Sequence, residues 1–175
     1  SPLFDSNANG VGDITQSLFL SPSNPGKLIW GAGPVFTIPS ANDPILGTGK
    51  LLFGPTAVFL VTPGHWVIGV LLNNQWSIGG NPLRPPVNSF LAQPFLNYNL
   101  ARGWYLTTGP IITANWLAAS GEQWTVPVGG GFVRDFRVPD QPVNASIAGY
   151  YNAIRPTGTP TWQLRASVAL LFPVK

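Results

Sequence analysis

The chain carries little charge. Its nine basic and six acidic residues make up 9% of 175 residues, whereas a water-soluble domain usually carries about 25%. Most of these charges lie between nine evenly spaced apolar segments rather than within them. A lipid-facing wall would require this distribution, because a charge at mid-depth on a membrane barrel costs about 2–4 kcal/mol.

Other absences exclude whole classes of function. The chain has no cysteine, which excludes thiol chemistry, disulfide bonds and cysteine-ligated metal sites. No run of about 18 apolar residues is present, so transmembrane helices are not expected. The 20 glycines and 19 prolines disfavour long helices of any kind. No basic run is interleaved with aromatic residues, so nucleic acid is a poor candidate partner.

The sequence offers no convincing catalytic or metal-binding group. The single histidine, His65, stands beside Trp66, and no carboxylate is placed near enough to complete a hydrolytic triad. The six acidic residues are scattered, whereas a metal site needs ligands that converge. We therefore predict that the chain is not an enzyme and needs no metal and no cofactor.

Turn residues divide the chain into nine predicted strands. These are expected near residues 13–21, 27–39, 51–62, 65–78, 89–100, 104–117, 123–137, 143–154 and 162–173. Short and longer connections alternate along the chain, as in bacterial outer-membrane barrels, which have tight periplasmic turns and longer outer loops. The pattern predicts an all-β fold, a transmembrane antiparallel up-and-down β-barrel that forms one domain over residues 1–175.

Alternate residues of a strand face opposite sides of a sheet, and most of the predicted strands have one apolar set and one small polar set. In the fourth strand Trp66 and Trp76 belong to the apolar set, in which Asn74 is the exception. The first strand alternates poorly. The polar sets predict a lumen with these candidate lining residues: Asn73, Gln75, Gln93, Asn97, Tyr105, Thr113, Asn115 and Arg165.

Arg165 is the charge best placed inside a predicted strand, between Gln163 and Ser167 on the polar face. It is either a structural arginine bonded to lumen amides and hydroxyls or a pore-lining charge that sets selectivity. The rest of the predicted lumen is almost free of permanent charge, which suits neutral or amphipathic solutes better than ions.

Tryptophans mark the ends of the apolar segments. Trp66 and Trp76 are ten residues apart on one face, which is roughly 33 Å along a strand. With a tilt of about 40° this becomes roughly 25 Å of height, near the apolar band of an outer-membrane barrel. Because indoles favour the membrane–water interface, we predict an aromatic girdle of Trp30, Trp66, Trp76, Trp104, Trp116, Trp124 and Trp162. The alternative is that these are core aromatics of a soluble sandwich.

Several prolines fall inside predicted strands, where proline removes a ladder donor. Three of them follow glycine, at Gly33-Pro34, Gly54-Pro55 and Gly109-Pro110. We predict that these pairs are β-bulges that bend the wall.

A set of short motifs resembles a bacterial outer-membrane family, the transporter-like proteins named after a protein of the meta-cleavage pathway of phenol degradation. The motifs include Ile29-Trp30-Gly31-Ala32-Gly33-Pro34, Gly54-Pro55-Thr56-Ala57, Gln93-Pro94-Phe95-Leu96-Asn97-Tyr98, Trp124-Thr125-Val126-Pro127 and Leu170-Leu171-Phe172-Pro173. The resemblance covers nearly all of the chain. It implies an outer-membrane β-barrel that transports hydrophobic or aromatic compounds.

Members of that family usually carry a further N-terminal stretch with additional strands. A chain of nine strands would also depart from the even strand count of single-chain bacterial barrels. We therefore expect additional strands, from a missing N-terminal segment or from another chain, to complete the barrel, which the resemblance implies has about twelve strands.

The resulting hypothesis is a channel or transporter in the outer membrane of a Gram-negative bacterium, which takes up small hydrophobic or aromatic solutes passively. Outer-membrane lipids would be its surroundings. Two alternatives remain, a structural barrel that binds partner proteins and a soluble β-barrel that binds an apolar ligand.

Overall fold

A computed structural model describes residues 10–138 and 141–172 of the chain. These residues form ten strands: β1 (Ile14–Ser17), β2 (Leu28–Ile38), β3 (Lys50–Val61), β4 (Trp66–Gly80), β5 (Asn88–Asn99), β6 (Trp104–Thr108), β7 (Ile112–Asn115), β8 (Trp124–Val138), β9 (Gln141–Ile154) and β10 (Trp162–Leu170). A single 3-10 turn, Ala101–Gly103, precedes β6. In this part of the chain no helix is long and apolar enough to cross a membrane.

All ten strands belong to one antiparallel sheet. The order is β1-β2-β3-β4-β5-β6-β8-β9-β10, and β7 lies between β5 and β8 beyond the end of β6. The prediction of an all-β, antiparallel, up-and-down arrangement is confirmed, and two stacked sheets of a sandwich are not formed by the described residues. Within those residues β1 and β10 are the two edges of the sheet.

Most predicted strands match observed ones to within a few residues. The sixth predicted strand is wrong in one respect, because it was expected to be continuous. Residues 104–117 form two strands, β6 and β7, separated at Gly109-Pro110-Ile111. Leu96 pairs with Thr108 and Ala92 pairs with Ile112, so the register places Pro94 opposite Pro110. Neither proline has an N–H to donate, and the ladder is interrupted there.

The bulge prediction is also wrong for the first two glycine-proline pairs. The β2–β3 register runs without a shift through Pro34 opposite Pro55. The carbonyl of Pro34 accepts a hydrogen bond from the N–H of Leu18, in the segment at the edge of the sheet. In an antiparallel ladder the N–H and the C=O of one residue point to the same neighbouring strand. The missing N–H of Pro34 therefore also faces the edge of the sheet. The missing donor of Pro55 correspondingly faces β4, where no pairing is formed at Gly54 and Pro55.

Register shifts occur elsewhere. One lies between Leu51 and Leu52 in the β3–β4 pair, and another lies between Val126 and Pro127 in the β8–β9 pair. Residues 1–9, 139–140 and 173–175 of the predicted domain, and with them the predicted end of the ninth strand at residue 173, lie outside the described residues.

The two faces of the sheet differ in burial. We define the inner face as the one that bears Thr37, Leu52 and Gln75, and the outer face as the opposite one; the register assigns the other strands. Most of the buried residues lie on the inner face: Val35, Thr37, Leu52, Thr56, Val133, Ala148, Tyr150 and Asn152. Large exposed apolar side chains concentrate on the outer face. The face that carries the polar side chains is therefore the more buried one.

Contacts across several strands indicate that the sheet curves towards the inner face. Arg165 of β10 reaches the carbonyl oxygen of Gly109, at the end of β6, with a 3.0 Å hydrogen bond. In a flat sheet the three intervening strand spacings would add up to about 14 Å, more than an arginine side chain can bridge. The curvature brings β6, β8, β9 and β10 around a common hollow.

Candidate functional site: the inner-face cavity

The hollow of the inner face contains a cavity of about 520 Å³ between β5, β6, β8, β9 and β10. Its lining residues include Gln93, Phe95, Asn97, Tyr105, Thr107, Gly109, Val133, Asn144, Ser146, Ala148, Tyr150, Arg165 and Ser167. Four of the eight predicted lumen residues are among them, Gln93, Asn97, Tyr105 and Arg165. We call this space the inner-face cavity.

Arg165 and Tyr150 form one wall of the inner-face cavity. The guanidinium carbon lies 4.7 Å from the centroid of the Tyr150 ring, an arrangement in which the cation is attracted to the negative face of the ring. The interruption after β6 is fixed by both residues, because the Arg165 Nη1 donates to the Gly109 carbonyl at 3.0 Å and the Gly109 N–H donates to the Tyr150 hydroxyl at 3.1 Å. Arg165 thus makes a structural hydrogen bond, as one of its two interpretations predicted, but its partner is a backbone carbonyl instead of a side-chain amide or hydroxyl.

Short polar contacts continue along the cavity towards the short turns. Asn144 Nδ2 lies 2.9 Å from the Tyr105 hydroxyl and 2.7 Å from Oδ1 of Asp135. Thr107 donates to Oδ1 of Asn97 at 2.6 Å. The Asn144–Asp135 and Thr107–Asn97 bonds join neighbouring strands, whereas the Asn144–Tyr105 bond joins β9 to β6 across β8.

The other predicted lumen residues lie on the inner face but outside this cavity. Gln75 accepts a 2.8 Å hydrogen bond from Thr37, whose hydroxyl is 2.8 Å from that of Thr15. Thr113 is opposite Thr125, and Asn115 accepts a hydrogen bond from the Leu117 N–H close to the end of β7. Asn73 is opposite Leu91. The structure therefore does not gather all eight residues into one site.

Several cavity residues were not predicted from the sequence. Asn144, Ser146 and Tyr150 all belong to β9, in which the even-numbered residues face inwards. Their alternation is visible in the sequence and could have placed them on the polar face. Their proximity to Tyr105 and Gly109 could not be found in that way, because it depends on how the strands curve.

All seven tryptophans lie on the outer face or at its ends. The register pairs Trp66 with Tyr98, Trp76 with Asn88, Trp104 with Arg134, Ala114 with Trp124 and Trp162 with Tyr151, while Trp30 pairs with Phe59. Trp116 follows the last residue of β7. Six of the seven tryptophans, all but Trp124, are 40–67% exposed. An interfacial girdle remains a prediction, since it requires a membrane.

A cation on the outer face, Arg134, lies against one of these indoles. Its guanidinium carbon lies 5.1 Å from the Trp104 ring and 6.0 Å from the Phe136 ring. Long cationic side chains can keep the head group in water while the stem covers apolar surface. Arg134 and Trp104 together form a polar and aromatic rim next to the short turn at Ala101–Gly103.

Two polar clamps order the longer connections at the opposite end of the sheet. Arg84 donates to the carbonyl oxygens of Pro44, Gly47 and Thr48, which ties the segment after β4 to the segment after β2. Separately, both oxygens of Glu122 accept hydrogen bonds from Thr157. The loops at this end therefore hold one another.

Asp13 completes the first clamp. Burial alone would raise the pKa of its carboxyl, but hydrogen bonds from the Thr48 N–H at 2.7 Å, the Thr48 hydroxyl at 2.9 Å and the Ala41 N–H, together with the charge of Arg84, lower that pKa below its ordinary value. In the part of the chain that the structure describes, no three histidine or acidic residues converge as metal ligands.

No protein-family model, no curated protein and no solved structure matches this chain.

Proposed function

We propose that the chain forms the wall of an outer-membrane β-barrel in a Gram-negative bacterium and lets small hydrophobic or aromatic solutes pass by diffusion. The observation that supports this most is the inverted distribution of the side chains, with polar groups on the more buried, concave face and large apolar groups on the exposed one. A water-soluble protein of this kind would expose an apolar patch far larger than the few hundred Å² that monomers usually tolerate.

The ends of the sheet fit the same proposal. Short turns follow β3 and β5 at one end, where the segment between β1 and β2 is longer, whereas the other end carries longer loops held by Arg84 and Glu122. This asymmetry is usual in outer-membrane barrels. In lipid, every unpaired N–H or C=O costs several kcal/mol, so the edges at β1 and β10 would have to pair with each other or with additional strands. We infer a completed barrel, of about twelve strands by the family resemblance.

The lining of the inner face is consistent with the passage of solutes without a cofactor. The inner-face cavity is lined by neutral amides and hydroxyls with one cation, Arg165, and Phe95, Val133 and Ala148 add apolar surface to it. Such a lining can accommodate amphipathic solutes, and its single cation offers one attachment point for a negatively charged group. Diffusion through it would need no energy source.

Purified protein in liposomes tests the channel. Liposomes with the protein should admit a small aromatic such as toluene or benzyl alcohol faster than empty liposomes of the same lipid. Asn97→Trp, which places an indole in the cavity, should slow this influx, whereas Leu96→Trp, on the outer face of the same strand, should not.

Other outcomes would favour the alternatives. Equal influx with and without the protein would contradict the channel and leave a structural barrel that binds partner proteins. Extraction of the native protein from cells without detergent would instead favour a soluble barrel that binds an apolar ligand.

A further inference from the structure

The inner-face cavity holds a cation with unused donors. A guanidinium has five N–H donors, and among the described residues Arg165 uses only Nη1 in a hydrogen bond, to the Gly109 carbonyl. The neighbouring Tyr150 hydroxyl accepts from the Gly109 N–H, so its own proton remains available for donation. The wall around the cation therefore presents donors.

Two other side chains of the cavity also keep free hydrogen-bond donors. The Tyr105 hydroxyl accepts a bond from Asn144 and keeps its own proton. Asn97 uses its oxygen to accept from Thr107, which leaves its NH2 group without a protein acceptor in the described ranges. These side chains thus leave donors that meet no carboxylate of the described chain, beside the free amide oxygens of Gln93 and Asn144.

The nearest inner-face carboxylate does not neutralise Arg165. Asp135 lies opposite Asn144, and Arg165 lies opposite Ala148, so the two groups are four residues apart along β9, or about 13 Å. Asp135 is also bound by Asn144 at 2.7 Å. A guanidinium with free N–H groups binds carboxylates in bidentate geometry, and here that ligand has to come from outside the described chain.

Part of the cavity lining is apolar. Phe95 of β5 lies opposite Gly69 of β4, and its ring occupies the space where a Cβ of residue 69 would stand. Val133 and Ala148 line the same cavity. Its volume of about 520 Å³ falls within the range of about 300–1,000 Å³ that is usual for small-molecule sites.

We propose that the inner-face cavity is a binding site for small aromatic carboxylates, with the carboxylate on Arg165 and the Tyr150 hydroxyl and the ring against Phe95. The proposal names a solute class for the channel and in that sense rests on the proposed function. The binding itself does not require passage and can be tested apart from it.

The test uses two probes of similar size, benzoate and the neutral benzyl alcohol. Binding to the detergent-solubilised protein is measured by calorimetry, and influx is measured in liposomes that contain the protein. Wild-type protein should bind benzoate, and Arg165→Gln should weaken this binding about tenfold or more, the loss expected for one charge-assisted hydrogen bond. Benzyl alcohol influx should stay within about twofold, because the alcohol makes no ion pair.

Two further variants make the result decisive. Arg137→Gln removes a cation from the inner face outside the cavity and should leave benzoate binding unchanged. Arg165→Lys keeps the charge but loses the planar fork, so its affinity should fall between those of wild type and Arg165→Gln. It also serves as the test variant if Arg165→Gln does not fold.

The two hypotheses fail in different ways. Benzoate binding that is absent in the wild type, or equal in wild type and both Arg165 variants, would overturn the binding site whatever the influx. Benzoate binding that depends on Arg165, without influx of either probe, would support the site and contradict the channel.

Discussion

The indole N–H of Trp116 donates a 2.8 Å hydrogen bond to Oδ1 of Asn74 on the outer face. The Asn74 amide group donates in turn to Oδ1 of Asn88 at 3.1 Å. Trp116 also contacts Trp124 edge to face, with 5.4 Å between the ring centroids. Asn74, the one polar residue in the apolar set of β4, therefore satisfies the polar edge of an indole, which usually needs a partner where it is partly buried.

Asn74→Leu should lower the free energy of unfolding by about 1–2 kcal/mol, because the indole N–H and the Asn88 oxygen both lose a partner. In a Trp116→Phe background the same substitution should cost less, since no indole N–H remains. Urea unfolding of the four proteins gives the coupling energy of the pair. A coupling energy near zero would mean that this bond does not stabilise the fold.

Strand pairing was predictable from the sequence because every connection except that between β6 and β7 joins neighbours in one sheet. Turn residues and alternation suffice for this, and β4, predicted over residues 65–78, is observed over Trp66–Gly80. The effect of the prolines was not predictable in the same way. It depends on which neighbouring strand the missing N–H faces. Pro34 and Pro55 are paired across β2 and β3, but the missing N–H of Pro34 faces the edge segment and that of Pro55 faces β4.

The candidate site was only partly predictable for a related reason. Alternation assigns Gln75 and Arg165 to the same face, but it cannot say that Arg165 reaches Gly109 across three strand spacings while Gln75 bonds to Thr37. Convergence depends on the curvature of the sheet, which long-range contacts determine. The carbonyl-binding role of Arg84 was missed because nothing local in the sequence indicates it.

The close approach of β3 and β4 gives a prediction for glycine. A Cβ at Gly54 would overlap the carbonyl oxygen of Asn74, whereas a Cβ at Gly149 of β9 would meet nothing within 4 Å. Gly54→Ala should therefore destabilise the fold by about 1–3 kcal/mol through overpacking. Gly149→Ala should be neutral or stabilising by about 0.4–1 kcal/mol. Urea midpoints of the two variants provide the comparison, and equal midpoints would contradict the close approach.

The clamp at Asp13 predicts a loss of stability in acid. The folded-state pKa of Asp13 lies below its ordinary value of 3.8, so its contribution is fully present above that pH and is lost as the pH falls through the folded-state pKa. The urea midpoint should consequently drop below about pH 4, and Asp13→Asn should make that drop smaller. An unchanged pH dependence in Asp13→Asn would show that other carboxyl groups cause it.

The outer-face tryptophans allow a direct test of membrane contact. Trp66 and Trp76 lie ten residues apart on β4, which corresponds to roughly 33 Å along the strand, and a tilted strand would bring both indoles near the two edges of an apolar band about 25 Å high. Since every indole lies on or next to the outer face, the total fluorescence reports on that face without single-tryptophan variants.

Protein reconstituted into brominated lipids should lose fluorescence, and bromines close to the head groups should quench more than bromines at the bilayer centre, because indoles concentrate at the interface. Acrylamide in water should quench less than it does in the unfolded protein. Trp162→Phe removes the most exposed indole and should reduce the quenching by shallow bromines. Strong acrylamide quenching with none from lipid would place the apolar face in water or against another protein, and the outer-membrane proposal would then fail.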